Sequence, residues 1–264
     1  MRMREIVHMS GAGNTFLVAD GREDISLLPP GSVRSLIAQQ PRSDGAAIEG
    51  VLVLRGIDGT RITADFYNPD GSYGMMCGNG ARCVVRYACD HGAPSNVELT
   101  LVLNEAEYIA HLHDDASVSI AFAAPKEEHS FPIGTLANVD VPVYYVNVNS
   151  DHVVIDGPCD ASRPIVQVLR HHPAFPRGVN VNMVRVVSPT QLTIATFERG
   201  VEAITGACGT GALSAAIALW RSGRCQDVVT ITPPSQRPLV VSLLHSDSTL
   251  ITCLLRGDAI YDNS

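Results

Sequence analysis

Apolar residues recur along this chain in short runs rich in valine and isoleucine, bounded by glycine, proline, asparagine or aspartate. In the first half such runs cover Val51 to Leu54, Ile62 to Tyr67, Val97 to Leu103 and Ser117 to Ala123, and this pattern predicts strands. The second half continues alike, at Val141 to Val148, Val179 to Val187, Leu192 to Phe197, Val228 to Thr232, Pro238 to Leu244 and Thr249 to Leu255. Four stretches break the rhythm. Ser32 to Gln40 and Arg163 to His172 have helical spacing and predict peripheral helices. From Ala81, the apolar positions Ala81, Val84, Val85 and Ala88 fall on one helical face, with Gly92 as the stop. From Ala212 the run ALSAAIALW is apolar almost all round and ends near Gly223, and a helix with no polar face must be buried.

The two inner helices share an entrance. Met76 to Cys83 reads MCGNGARC and Ala207 to Ser214 reads ACGTGALS, so Cys-Gly-x-Gly-Ala occurs twice, half a chain apart. Strands, a Cys-Gly-x-Gly entrance, a buried helix and further strands follow one another, and then the series repeats. The break falls near AFAAPKEEHSFP, where a strand ends in a charged, proline-flanked segment at Pro125 to Glu128. The expectation is two α+β domains, 1–124 and 125–264, the last strand open to a return to the first domain, and an active site in the cleft between them.

Composition removes several function classes. A chain of 264 residues with 45% apolar and 17% charged residues forms one large core or two medium ones. Its net charge of -8 is scattered and offers no basic stripe, so nucleic acid is not an expected partner. No apolar run approaches the ~20 residues that span a bilayer, and MRMREIVHMSG lacks the apolar core of a signal peptide, so no membrane contact is expected and the cytoplasm is the expected compartment. Seven cysteines, an odd number, argue for reduced thiols over a disulfide framework. Without a Cys-x-x-Cys pair or His-Glu-x-x-His, no metal is expected.

The paired cysteines suggest a chemistry. At a helix entrance the first N–H groups lack intrahelical acceptors and the macrodipole is positive, which favours the thiolate. The adjacent glycines let backbone N–H groups approach an anion such as a carboxylate. With a carboxylate held between two such ends, one sulfur can remove an α-proton while the other delivers one to the opposite face. Cys83, Cys89, Cys225 and Cys253, on helices or strands, read as small core residues. A thiol hydrolase built on Cys77 or Cys208 with His152 would leave the second cysteine motif unexplained. Gly78-Asn79-Gly80 is not a dinucleotide fingerprint, because Cys83 stands at the third glycine position.

The chain resembles the diaminopimelate epimerase family of cofactor-independent amino-acid racemases over nearly its whole length. The resemblance is carried, in order, by SGAGNTFLVAD (Ser10 to Asp20), SDG (Ser43 to Gly45), FYNPDGSYGMMCGNGARC (Phe66 to Cys83), NVNSDHVV (Asn147 to Val154), FPRGVNVNMV (Phe175 to Val184) and FERGVEAITGACGTGA (Phe197 to Ala212). It implies two pseudo-symmetric domains, each a mixed sheet or barrel wrapped around a central helix. It also implies Cys77 and Cys208 as the acid/base pair, with amides at Gly78, Asn79, Gly209 and Thr210 on the α-carboxylate. The far end of the substrate would meet Asn14, Asn68, Asn180 and Arg199, with Asn147, His152 and Glu198 also at the pocket. An arginine is apt there, being a forked donor for a second carboxylate. The chain departs from the family pattern in three places. Ser150-Asp151-His152 replaces a Pro-His, so either Asn147 or Asn149 faces the substrate; EAIT (Glu202 to Thr205) replaces Gly-Glu-Thr; and PPSQRPLVV lacks a glycine pair.

The resulting expectation is an epimerase or racemase without PLP or any other cofactor, with LL- and meso-diaminopimelate as the leading substrate pair and a homodimer left open. A racemase of another amino acid, such as histidine, is the enzymatic alternative. A thiol hydrolase or a non-catalytic binding protein is the alternative of another class.

Overall fold

The structure, a computed structural model, describes residues 5–23, 26–74, 76–160 and 162–262. The first four residues and Met75, which fall within stretches quoted above, lie outside them. The chain divides into two compact units, one comprising 1–121 with 256–264, the other 122–255.

In the first unit the chain runs β1 (Ile6–Gly11), β2 (Asn14–Asp20), α1 (Pro30–Gln39), β3 (Val51–Asp58), β4 (Arg61–Tyr67), α2 (Gly78–Asp90), β5 (Leu99–Leu103), β6 (Ala106–Leu112) and β7 (Val118–Ala123), the last carrying the boundary. The second unit runs β8 (Glu127–Phe131), β9 (Val143–Asn147), β10 (Asp151–Asp156), α3 (Pro164–Arg170), β11 (Asn180–Ser188), β12 (Gln191–Glu198), β13 (Ala203–Ile204), α4 (Gly209–Arg221), β14 (Val228–Thr232), β15 (Leu239–Ser246) and β16 (Thr249–Gly257). Finally β17 (Ile260–Tyr261) pairs with β1 in the first unit.

The two units are built by one recipe. From β1 to β6, successive pairings are antiparallel, parallel, antiparallel, parallel and antiparallel. The series β9, β10, β11, β12, β14, β15 repeats that alternation. In each unit the parallel pairs are joined by a helix, as parallel pairing requires. The first crossover is peripheral: α1 packs through Val33, Leu36 and Ile37 against Leu17, Val51 and Val53, while α3 packs through Val166 and Leu169 against Val153, Ile155 and Met183. The second crossover is central, with α2 touching all of β1 to β6 and α4 touching β9 to β12 and β15. The predicted α+β class with two similar halves is what the structure has.

All four helices fall where the apolar spacing puts them. Several strands do not appear in the hydrophobic pattern: β1, β2, β6, β8, β10 and the two-residue β13 and β17. All seven residues of β2 are buried. Its residues face α1 on one side and α2 on the other, which removes the alternation a half-buried strand would show. The segment Glu127 to Phe131, read above as part of a charged break, is strand β8, mostly solvent-facing and antiparallel to β9; charge on such a strand discourages further pairing. No helix among the described residues is long and apolar enough to cross a membrane.

Candidate active site

Each central helix begins at one of the paired cysteines. Cys77 is the N-cap of α2 (φ -112, ψ 106) and Cys208 the N-cap of α4 (φ -121, ψ 112), and both helices are 13 residues long. Each cysteine carbonyl accepts the first helical bond, from Ala81 N at 2.8 Å and from Ala212 N at 3.0 Å. Each helix stops in the same way, with a left-handed glycine (Gly92, φ 117; Gly223, φ 70) and a backbone bond back across the last turn, Ala93 N to Ala88 O and Arg224 N to Leu219 O. Because both helices are the crossovers of parallel pairs, each cysteine sits beyond the carboxyl end of a strand, β4 or β12, where ligand-binding residues of α/β structures gather.

In the first unit the start of α2 is tied down by Arg82, which is fully buried and donates to Gly78 O, to Asn79 Oδ1 and to Asp258 O. A Cβ on Gly11 would lie 2.6 Å from Asn79 O, so β1 can approach the helix start only as glycine. The approach to Cys77 is fixed on β4: Gly74 N bonds Phe66 O, and Tyr73 donates to Asp65, which also takes Arg55. Of the expected substrate contacts, Asn14 is buried, donates to Glu49 Oε2 at 2.5 Å, and has an Oδ1 without a hydrogen-bond partner among the described residues. Asn68 instead bonds Ser72 Oγ at 2.9 Å within the turn that leads to Tyr73.

In the second unit Cys208 lies in a directional network. Thr196 Oγ1 donates to Asn182 Oδ1 at 2.9 Å, and Asn182 Nδ2 lies 3.1 Å from His152 Nδ1. An amide N–H can only donate, so His152 Nδ1 is the acceptor and Nε2 carries the proton. That Nε2 faces Ser150 Oγ at 2.7 Å and Thr210 Oγ1 at 3.0 Å. Ser150 Oγ also donates to Thr210 Oγ1 at 3.3 Å, so the Thr210 hydroxyl, an acceptor from this pair, has its own proton to give to Cys208 Sγ at 3.6 Å. His152 is completely buried, and burial pushes its pKa down to about 3, so it stays neutral. On another side, Cys208 hydrogen-bonds Glu198, which also accepts from Thr205; burial raises the Glu198 pKa against the opposing pull of both bonds. A Cβ on Gly211 would lie 2.5 Å from Asn182 Oδ1 and 2.8 Å from Thr196 Oγ1, so the network can reach the helix start only past a glycine.

Around Arg199 one guanidinium nitrogen is committed. Arg199 Nη1 donates to Arg177 O at 2.7 Å and Gly178 O at 2.9 Å, with Asp151 Oδ2 at 3.4 Å. Asn180 spans the strands, donating to Asp151 O and accepting from Arg199 N, both at 2.9 Å. Asn147 donates to Asp151 Oδ1 at 3.0 Å, whereas Asn149 is exposed with φ 63, a turn-forming position. In the second unit, then, His152, Glu198 and Thr210 gather at Cys208, and Asn147 and Asn180 gather around Asp151 and Arg199, while in the first unit Asn14 and Asn68 bond Glu49 and Ser72. Asp151, Asn182, Thr196, Ser150 and Thr205 were missed. Asn182 alone left a sequence trace, as a second asparagine two residues after Asn180 in an otherwise apolar strand. Among the described residues no three His, Cys, Asp or Glu side chains gather as metal ligands would, and no cysteine is in a disulfide.

The model of the diaminopimelate epimerase family matches residues 6–123 and 144–251, thus both cysteine-headed helices. This chain belongs to the diaminopimelate epimerase family. A diaminopimelate epimerase from Chlorobaculum tepidum is 32% identical over 222 residues, covering 82% of this chain and 83% of that protein. In fold, the chain resembles a phenazine biosynthesis protein of the PhzF family from Bacillus anthracis (TM-score 0.71, 12% identity, covering 99% of this chain and 97% of that one). It likewise resembles a hydroxyproline epimerase from Agrobacterium vitis (TM-score 0.65, 14% identity, 99% and 91% covered). Membership in the family makes the chain an isomerase, a cofactor-independent epimerase or racemase.

Proposed function

We propose that this member of the family inverts the α-carbon of diaminopimelate, with Cys77 and Cys208 as base and acid on opposite faces of that carbon. The observation that carries the reading is the repeated half-site: in each unit a cysteine caps a crossover helix of the same length, entered from a strand and closed by the same glycine turn. The helix starts at Gly78 and Asn79, and at Gly209 and Thr210, offer N–H groups to the α-carboxylate and stabilise the charge that builds up as the proton leaves. One sulfur, as thiolate, takes the α-proton and becomes a thiol; the other, as thiol, protonates the opposite face and becomes a thiolate. The balance closes with the two roles exchanged, so the reverse reaction uses the same pair. On this reading Glu198, hydrogen-bonded to Cys208, takes its proton, and Thr210 donates to the resulting thiolate; the two contacts support the roles. Asn14 Oδ1, a buried acceptor, suits a donor on the far end of the substrate, and Arg199 suits the second carboxylate.

The test is solvent deuterium incorporation at the α-carbon of diaminopimelate together with epimer formation. Cys77→Ala and Cys208→Ala should each lower epimerisation by at least about a hundredfold, the range of general acid and base catalysis. Cys83→Ala, on the buried side of α2, should not. Near wild-type epimerisation in either single variant would sink the two-thiol mechanism. Incorporation into another amino acid but not diaminopimelate would keep the mechanism and discard the substrate.

A further inference from the structure

Asp151 is the one acidic side chain that meets both Arg177 and Arg199 among the described residues, and it divides itself unequally between them. Its side chain is 8% exposed. Oδ1 accepts from Arg177 Nη2 at 2.7 Å, from Tyr145 OH at 2.6 Å and from Asn147 Nδ2 at 3.0 Å. Oδ2 accepts from Arg177 Nε at 3.1 Å, while Arg199 Nη1 stays at 3.4 Å. The fork of Arg177 therefore holds the carboxylate through both oxygens, the strongest arrangement open to this pair, and Arg199 receives only a long contact. The Arg177 hydrogen bond is also the leading cause that holds the Asp151 pKa down to about 2, so the carboxylate is charged at any working pH.

Arg199 is held instead by main chain. Its Nη1 donates to the carbonyls of Arg177 and Gly178, and its Nε and Nη2 have no acceptor among the described residues. Two adjacent residues thus divide the work: the Arg177 side chain occupies Asp151, and the carbonyls of 177 and 178 fix one nitrogen of Arg199. What remains is the Nε/Nη2 edge, the geometry that takes a carboxylate through two parallel bonds. Without its fork, a buried carboxylate short of a cation would draw on the nearest one, and that is Arg199.

We propose that Arg177 is a specificity-determining positioning residue, which by occupying Asp151 keeps the Arg199 Nε/Nη2 edge open for a carboxylate at the far end of the substrate. The inference rests on the reading above that the far end of the substrate meets Arg199. Arg177 acts through Asp151 and needs no contact with substrate, and its side chain is 64% exposed, so its replacement leaves the core alone.

Diaminopimelate and lysine provide the comparison, because they differ only in the second carboxylate. In Arg177→Met, kcat/KM for diaminopimelate should fall at least about tenfold, nearly all of it in KM. Lysine, followed by α-deuterium exchange or as a competitive inhibitor, should change less than about threefold. Adding Asp151→Asn removes the competing anion, and the double variant should recover diaminopimelate KM to within about threefold of wild type. A structural role for Arg177 would instead weaken both compounds alike and gain nothing from the second substitution. Unchanged diaminopimelate KM in Arg177→Met, equal losses for both compounds, or no recovery in the double variant overturns the inference while the proposed function stands. Wild-type protein that exchanges the α-proton of neither compound overturns the proposed function, and this inference with it.

Discussion

His152 would ordinarily be the first candidate for a base at a site like this, and its surroundings assign it another role. With Asn182 donating to Nδ1 and two hydroxyls facing Nε2, a second ring proton has no place to go, and the side chain is fully buried. It works as a fixed dipole that orients Thr210 towards Cys208. The cost appears in stability against pH. The folded pKa of about 3 lies below the unfolded value near 6.5, so between these two values the unfolded chain binds a proton that the folded one refuses. Stability is then complete above pH ~6.5 and drains away on acidification, by up to about 1.4 kcal/mol per pH unit for this one group. Urea midpoints measured from pH 7.5 to 4.5 should show that loss, and His152→Gln should flatten it by about one proton; an equal slope in the variant would place the acid sensitivity elsewhere. Neither His152 near 3 nor Asp151 near 2 can supply a limb of an activity profile around neutrality. The cysteines could be read from the sequence because everything that marks them is local: the glycines, the helix run and the repeat. Asp151, Thr196 and Arg177 acquire their roles only from partners on other strands, and nothing next to them in the chain announces it.

At the scale of the element, glycine does two different jobs at the two ends of α4. Gly223 needs its left-handed φ of 70 but has open space around it, whereas Gly211 has an ordinary helical backbone and no room. Gly223→Ala should therefore cost about 1 kcal/mol from backbone strain alone, a loss of roughly 2–4 °C in Tm, with catalysis intact. Gly211→Ala must push Asn182 or Thr196 aside, disturbing the network behind Cys208, and should lower kcat by at least about tenfold even where the protein stays folded. Equal kcat in the two variants would show that the close approach at Gly211 has no bearing on the chemistry. The same contrast explains what the hydrophobic pattern gives away. Helices α2 and α4 stand out because their apolar spacing is unambiguous, and the strands around them stand out where they are rich in valine and isoleucine. Strand β2 is hidden because burial on both faces erases alternation, and β8 because its exposed charges look like a linker. Arg82, fully buried within α2, is a residue that amphipathic spacing would put in water; besides Gly78 and Asn79 on its own helix it needs the carbonyl of Asp258, far along the chain, which the spacing cannot announce.

For the whole molecule, the return of 256–264 to the first unit sets an order of events during synthesis. Asp258 receives Ala12 N at 2.6 Å and its carbonyl receives Arg82, while Tyr261 reaches Asp90 and Arg42 pairs with Asp262. Every one of these partners leaves the ribosome before the second unit and waits for an answer that follows it. At ~5–20 residues per second the wait is on the order of ten seconds, and throughout it the Arg82 guanidinium lacks one of the acceptors that let it leave water. The usual rule that the N-terminal domain of a nascent chain folds first should be inverted here, since 122–255 is continuous while the first unit draws on 256–264. Nascent chains arrested with residue 255 outside the exit tunnel should keep 1–121 open to protease, and extension past residue 262 should close it. Protection already complete at residue 255 would refute this order. The half-site built on Cys77 is in this sense begun before the second unit and finished after it, and for that interval its apolar strands are the part of the newborn chain that a chaperone would find.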